Sequence, residues 1–473
     1  MASNNIRSNL LLFGLSLSVA MVSLSDRMVS VETPFLGEAL YIDAALLGWI
    51  NISALLVMTC SIMIFGRLGD LKGRKKLSYI GIITFLIGSI LCAISPNGLV
   101  LIIFRCVQGL GSSILISNLY AIPKDIFPPE KHGRAIGFIT FAVYLGLASA
   151  PFLGGFIVDF LNWRWIFLVV LPLGIVALFI IHKTYKLEPV KQPKEKFDLL
   201  GAGTFAITLF SLYLSLTLGN KVGWNNILVI SLIFIFIISF IIFIMIEKKS
   251  DSPMIKLSIF KNANFSTSNF AALLFYITTM SITFLIPIYL KAGFGYTGLE
   301  IAMVIFLMPL FMSIFSPISG YLSDKFDNKK ICIIGLVILA ISFLFLGTMQ
   351  FQPPISYIIL IFAGIGQGIF TSPNVALVID SVDQTDRGIA SSMTTMMRTI
   401  GQSSSFAIST ALLGLIMPFT LLNSFLSNTI TPTPDQLQLF VSSMQFVFYI
   451  MFFICIASLI LVSIKFFIKK SNK

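Results

Sequence analysis

Gly66-Arg67-Leu68-Gly69-Asp70-Leu71-Lys72-Gly73-Arg74-Lys75-Lys76 is a glycine-rich, cationic stretch set between two long apolar runs, one ending at Phe65 and the next beginning at Leu77. Polar residues confined in this way fit a short hairpin that joins two membrane-crossing helices. Composition agrees. Of 473 residues, 57% are hydrophobic and 11% charged, with a mean hydropathy of +0.96, whereas about a quarter of a soluble globule is charged. A hydrocarbon layer of about 30 Å takes roughly 20 apolar residues per helix. No strand-like alternation competes with that pattern. The chain reads as an all-α integral membrane protein.

Working outward from the hairpin, the apolar runs predict fourteen spans near residues 9–33, 44–65, 78–95, 98–120, 135–157, 164–182, 199–219, 226–246, 265–290, 298–319, 331–349, 355–378, 389–415 and 440–464. The even count places both termini on the hairpin's side, where 26 of the 32 lysines and arginines fall. Only Arg164, Lys221 and Lys291 lie opposite, and three arginines lie within spans. The positive-inside rule makes the hairpin side cytoplasmic. A multi-pass plasma-membrane protein with both termini in the cytoplasm is therefore expected. The net charge of +12 reflects this topology and predicts no nucleic-acid partner. Met1–Arg7 lacks a small-residue cleavage site, so the first span is expected to be retained.

Enzyme chemistry finds no foothold. The five cysteines, Cys60, Cys92, Cys106, Cys332 and Cys455, lie in apolar runs without CxxC or Cys/His spacing, so neither disulfide, metal nor cofactor is expected. His132 and His182 lie near span ends with no nucleophile beside them. No Gly-Lys-Ser/Thr phosphate loop is present.

Charges inside the spans therefore carry the functional signal, since each costs about 2.5 to 3.5 kcal/mol at the membrane centre. The first span holds Asp26, Arg27 and Glu32 before Pro34. At 100° per residue, Asp26 and Glu32 lie about 120° apart, while Asp26, Ser30 and Thr33 share a face. One acid can line a cavity while the other pairs or sits at the rim. The alternative puts Glu32 in the headgroups and lets Asp26 and Arg27 neutralise each other. In the fourth span, Arg105, Gln108, Gly109 and Ser112 share a face, turning the arginine toward small and polar neighbours. The thirteenth carries Arg398 with Gln402, Ser405 and Ser409 as a polar stripe that must meet protein or a water-filled cavity. The ninth offers Asn269, Phe275, Tyr276, Thr279 and Thr283, a face suited to substrate or to packing.

Two further patterns organise the chain. The fifth span has Gly137, Gly146, Pro151, Gly154 and Gly155, a glycine-lined helix with a proline where it can bend. Gly320-Tyr321-Leu322-Ser323-Asp324-Lys325-Phe326-Asp327-Asn328-Lys329-Lys330 is a degenerate second copy of the hairpin. Six-helix halves follow, at residues 1–198 and 265–473, with two extra helices over 199–264. Asp327 and Asn328, standing where the first copy has Gly73 and Arg74, predict a less constrained second loop. The eighth span, almost wholly aliphatic and aromatic, reads as lipid-facing.

The first hairpin resembles Gly-x-Leu-x-Asp-x-x-Gly-Arg-Lys, the loop between the second and third helices of the major facilitator superfamily. Gly66, Leu68, Asp70, Gly73, Arg74 and Lys75 match, while Leu71 departs from it. Arg105 to Gly109 resembles that family's Arg-x-x-Gln-Gly element, which implies a part in proton coupling. The fifth span is similar to its antiporter motif, Gly-x8-Gly-x3-Gly-Pro-x2-Gly-Gly, with Ala150 replacing one glycine. Arg387-Gly388-Ile389-Ala390, with Arg398 and Gly401, resembles the matching helix of fourteen-span drug:proton antiporters.

That resemblance implies two six-helix bundles plus two central helices, and proton-coupled efflux of drugs or amphipathic molecules by alternating access. Small-molecule substrates, protons and membrane lipid are the expected partners, and the protein is expected to be monomeric. Proton coupling is expected of Arg105 from the resemblance, and of the first-span carboxylates from their burial, Asp26 first and Glu32 second. Gly66, Asp70, Gly73 and Arg74 become a cytoplasmic latch, and Gln108, Tyr276, Arg398 and Gln402 become substrate-cavity residues. One departure stands out: counting back from Pro34, the family's first-span aspartate falls on Ser25. Three arginines within the spans, with no acid at mid-membrane in the C-terminal half, also leave open a permease for a metabolite, anionic or lipidic, held by Arg105 or Arg398. A non-transporting membrane sensor is the remaining alternative.

Overall fold

A computed structural model of the chain describes residues 2–31, 36, 40, 44–184, 198–250, 253, 255, 257–348, 353–418, 421 and 433–471. Fourteen of the described helices are long and apolar enough to cross a membrane. In chain order they are α1 (Ala2–Val31), α2 (Ala44–Lys72), α3 (Arg74–Ala93), α4 (Gly98–Ser117), α5 (His132–Phe160), α6 (Leu171–Thr184, which spans together with the short helix Trp165–Leu168 before it) and α7 (Leu199–Val222). They continue as α8 (Ile227–Lys249), α9 (Ala263–Phe294), α10 (Gly298–Ser323), α11 (Asn328–Thr348), α12 (Pro353–Asp380), α13 (Arg387–Ile416) and α14 (Pro434–Ser471).

Polar residues at the breaks start these helices. Asn97, Asp198, Asn226 and Asn262 each accept a bond from a backbone N–H in the turn they open, and Thr297 with Glu300 makes a reciprocal cap on α10. In apolar surroundings an unmet amide is costly, so these side chains fix where each helix begins.

The quoted hairpin is tighter than its hydropathy predicts. Gly66–Lys72 continues α2, and the whole reversal falls on Gly73, at φ +97°. Only glycine enters that region freely, and one such residue is enough to break a helix.

In the first bundle α1 packs on α5 and α6, and α4 on α2 and α3; in the second, α9 packs on α13 and α14, and α12 on α10 and α11. The bundles meet along two seams, α5 against α10 and α2 against α13. The extra helix α7 lies over the second seam, touching both α2 and α13, while α8 packs on α7. α8 is the least buried of the fourteen, as its unbroken apolar sequence predicts.

Glycines set the α5–α10 seam. A Cβ on Gly137 would stand 2.8 Å from the Ser316 carbonyl oxygen and 3.1 Å from the Gly320 Cα. Gly146 faces α1 instead, 2.7 Å from the Ala20 oxygen, whereas a Cβ on Gly155 meets nothing within 4 Å. Helix α5 runs through Pro151 without interruption, and Gly154 is buried. These five residues thus serve different neighbours. Gly137→Val should destabilise the purified protein by about 1 to 3 kcal/mol, the usual cost of overpacking, and Gly155→Ala should be nearly silent. Thermal melts of the two variants check this; equal shifts would refute the packing difference.

Candidate functional site

Two charged constructions stand out. The first begins at Arg105, which is 1% exposed on α4. Its Nε donates to the Ile50 carbonyl at 3.1 Å, one terminal nitrogen to Gln108 Oε1, and the other to Asp26 Oδ1 at 3.3 Å. Gln108 is fixed in turn by donating to Ser89 Oγ at 2.8 Å and Ser25 Oγ at 3.2 Å. Arg105 thus keeps two neutral acceptors whatever the charge on Asp26. The Asp26 side chain, by contrast, is 37% accessible.

The acid one residue past the expected position still finds the arginine. Ser25 takes up the amide of Gln108, and Asp26 beside it takes the guanidinium. Asp26 pairs with Arg105 and not with Arg27, which has no ion pair among the described residues. Glu32 lies outside the described residues. Gln108, expected to line a substrate cavity, is fully buried in the support of Arg105.

The second construction closes the hairpin face. Asp70 accepts from the backbone N–H groups of Gly388 at 3.0 Å and Ile389 at 3.2 Å, in the first turn of α13, and from Arg74 at 2.6 Å. A carboxylate belongs there, because orphan N–H groups and the helix dipole both favour negative charge. Arg74 also pairs with Asp125 and donates to the Gln384 carbonyl at 3.1 Å. Gly66 allows the approach, since a Cβ there would stand 2.8 Å from the Gly388 oxygen. Arg67 with Asp386, Arg387 with Asp125 and Lys124 with Asp380 complete this end of the α2–α13 seam.

The degenerate copy repeats the device. Asp324 accepts from the N–H groups of Gly133 at 2.7 Å and Arg134 at 3.1 Å, at the start of α5. This corrects the expectation of a less constrained loop. The cap needs only an aspartate and the opposite helix's backbone, and Asp327 and Asn328 take no part in it. Burial holds the Asp324 carboxyl above the usual carboxylate range despite these bonds and Arg134, so this clip loses its charge at a higher pH than an exposed aspartate. Each hairpin aspartate therefore ties its own bundle to a helix of the other.

Between these constructions lies Arg398 on α13, half-buried beside the hydroxyls of Tyr120, Tyr144 and Tyr276. Gln402, a turn further on, is half-buried, while Ser405 and Ser409 are fully buried with hydroxyls that find no partner among the described residues. Of the expected cavity residues, the structure brings Tyr276 to Arg398 and places Gln108 elsewhere. Sequence reading missed Tyr120 and Tyr144. Neither stands on a polar stripe, and both become relevant only when the bundles meet.

Comparison with known proteins agrees with this architecture. The sequence pattern of the Major Facilitator Superfamily matches residues 15–249, 199–406 and 268–473. Multidrug resistance protein 3 of Bacillus subtilis is 32% identical over 360 residues, covering 75% of this chain and 70% of that protein. Riboflavin transporter RibZ of Clostridioides difficile is 30% identical over 400 residues, covering 84% and 85%. Among solved structures, the human organic anion transporter MFSD10 superposes with a TM-score of 0.66 at 13% identity, over 95% of this chain and 99% of that one.

Proposed function

The chain belongs to the Major Facilitator Superfamily, and from that premise we propose that it exports amphipathic small molecules in exchange for protons across the plasma membrane. It is a membrane transporter; drug-like cargo, the proton and the export direction are the proposal. The observation that carries it is the Asp26–Arg105 pair, an accessible carboxylate on a guanidinium whose other bonds hold it in place. One relative and one motif point the same way: multidrug resistance protein 3 of Bacillus subtilis, and the fifth-span glycine pattern that resembles the antiporter motif.

In this reading residues 1–198 and 265–473 rock against each other around a midplane site, with 199–264 as an added pair. The chain works as a monomer with both termini in the cytoplasm. The clips at Asp70 and Asp324 hold the cytoplasmic end shut, so the pathway is open to the other side. A proton leaves Asp26 toward that side or enters from it, and the substrate meets the carboxylate in its other form. A potential of about 100 mV supplies about 2.3 kcal/mol per charge moved, which needs no nucleotide.

A drug and dye susceptibility panel on expressing cells tests the proposal. The wild type should raise tolerance to several unrelated amphiphiles and Arg105→Ala should lose at least about tenfold of it, since a buried carboxylate-bearing site loses its charged partner. A panel indistinguishable from empty cells would favour a permease for one metabolite. That second reading draws support from Arg105 and Arg398 within the spans and from the relative named as a riboflavin transporter.

A further inference from the structure

Arg398 stands eleven residues into α13, which begins at Arg387. At 1.5 Å per residue it lies about 16 Å from that end, near mid-bilayer. Its neighbours come from both bundles. Tyr120 follows α4 and lies within hydrogen-bonding reach of the guanidinium; Tyr144 stands on α5 and Tyr276 on α9. The Tyr144 hydroxyl meets Thr371 Oγ1 of α12 at 3.0 Å, and Thr371 also meets Tyr276. A Cβ on Gly401 would stand 2.7 Å from Tyr276 Cβ and 2.8 Å from the Leu273 oxygen, so glycine there lets α9 press Tyr276 toward Arg398.

The site lacks a counter-charge. Arg105 has Asp26 and Arg74 has Asp70 and Asp125, but among the described residues no carboxylate faces Arg398. Neutral phenols cannot balance a guanidinium in a membrane interior, where an uncompensated charge is expensive. A ligand oxyanion can, through two parallel N–H bonds to one planar fork. The tyrosines supply ring faces and hydroxyls around that fork.

We propose that Arg398, with Tyr120, Tyr144 and Tyr276, forms a subsite for the carboxylate or similar oxyanion of a ring-bearing substrate, so that the cargo is an amphipathic anion and not a lipophilic cation. This rests on the transporter reading above but not on its proton step. The test is equilibrium binding to the purified full-length protein, without a gradient, of fluorescein, its methyl ester and the cation ethidium. Fluorescein should bind at least about tenfold more tightly than its ester, the worth of a charge-assisted bond. Arg398→Gln should erase that difference, and Arg398→Lys should restore part of it. Because the ester comparison uses the wild type, a variant that fails to fold leaves the proposal exposed to refutation. Ester and acid binding within twofold of each other, or ethidium binding while fluorescein does not, would overturn it. Proton release on substrate addition is read separately, so a uniport of fluorescein would sink the coupling and leave this subsite standing.

Discussion

Asp26→Asn should abolish substrate-driven proton release from the purified protein. The substitution keeps the shape of the side chain and removes the group that titrates. Arg105 keeps Ile50 and Gln108 as acceptors, so the fold around it should survive and the loss should be one of coupling. With one proton uncoupled, a potential of about 100 mV no longer contributes about 2.3 kcal/mol, and the sustainable substrate gradient falls by about fiftyfold. Proton release in weakly buffered detergent solution, with fluorescein as the added substrate, reads the first effect, and accumulation in proteoliposomes reads the second. Release that persists in Asp26→Asn and vanishes in Glu32→Gln would move the carrier to Glu32. Persistence in both variants would remove these acids from the mechanism.

Asp70→Asn should slow transport by about ten- to a hundredfold while changing substrate affinity less than twofold. Asp70 bonds two backbone N–H groups of α13 and the Arg74 guanidinium, and a bond to a charged group is worth about 1.5 to 3 kcal/mol. Loss of that amount shifts the balance between closed and open cytoplasmic ends by ten- to a hundredfold, without touching Arg398 or Asp26. Asp324→Asn should err in the same direction, because it caps α5 by the same geometry. A fall in binding as large as the fall in rate would mean that the clip is part of the substrate site.

How much of this could be read along the chain depends on how far apart the partners lie. The polar break at Gly66–Lys76 and the mate at Gly320–Lys330 were visible because hydropathy and repeats are local signals. Arg105 and Gln108 could be paired in advance, three residues apart on one helical face. Backbone chemistry suits a carboxylate such as Asp70 to a helix N-terminus, but which helix it caps is not legible in the sequence. Gly388 is 318 positions away, and no periodicity points there.

The same distinction explains the errors. The loop after α10 was judged by the residues that differ from the first copy, while the contact is made by the aspartate they share. Gln108 looked like a cavity residue because it is polar on a polar face. Its surroundings, Ser25 and Ser89 from two other helices, make it a buried support.

The sequence by itself determined that this is a membrane protein of fourteen apolar helices, built on a repeated half, with three arginines set inside its spans. Hydropathy, charge asymmetry and glycine spacing act within one or two helical turns, which is the range a linear reading covers. Tertiary structure alone decided which partner each charge meets: Asp26 with Arg105, Asp70 with α13, Asp324 with α5, and Arg398 with three tyrosines and, among the described residues, no acid. Those choices are made where distant helices approach through glycine, between the bundles at Gly66 and Gly137 and within the second bundle at Gly401, and an approach between distant segments is fixed by packing and not by sequence order.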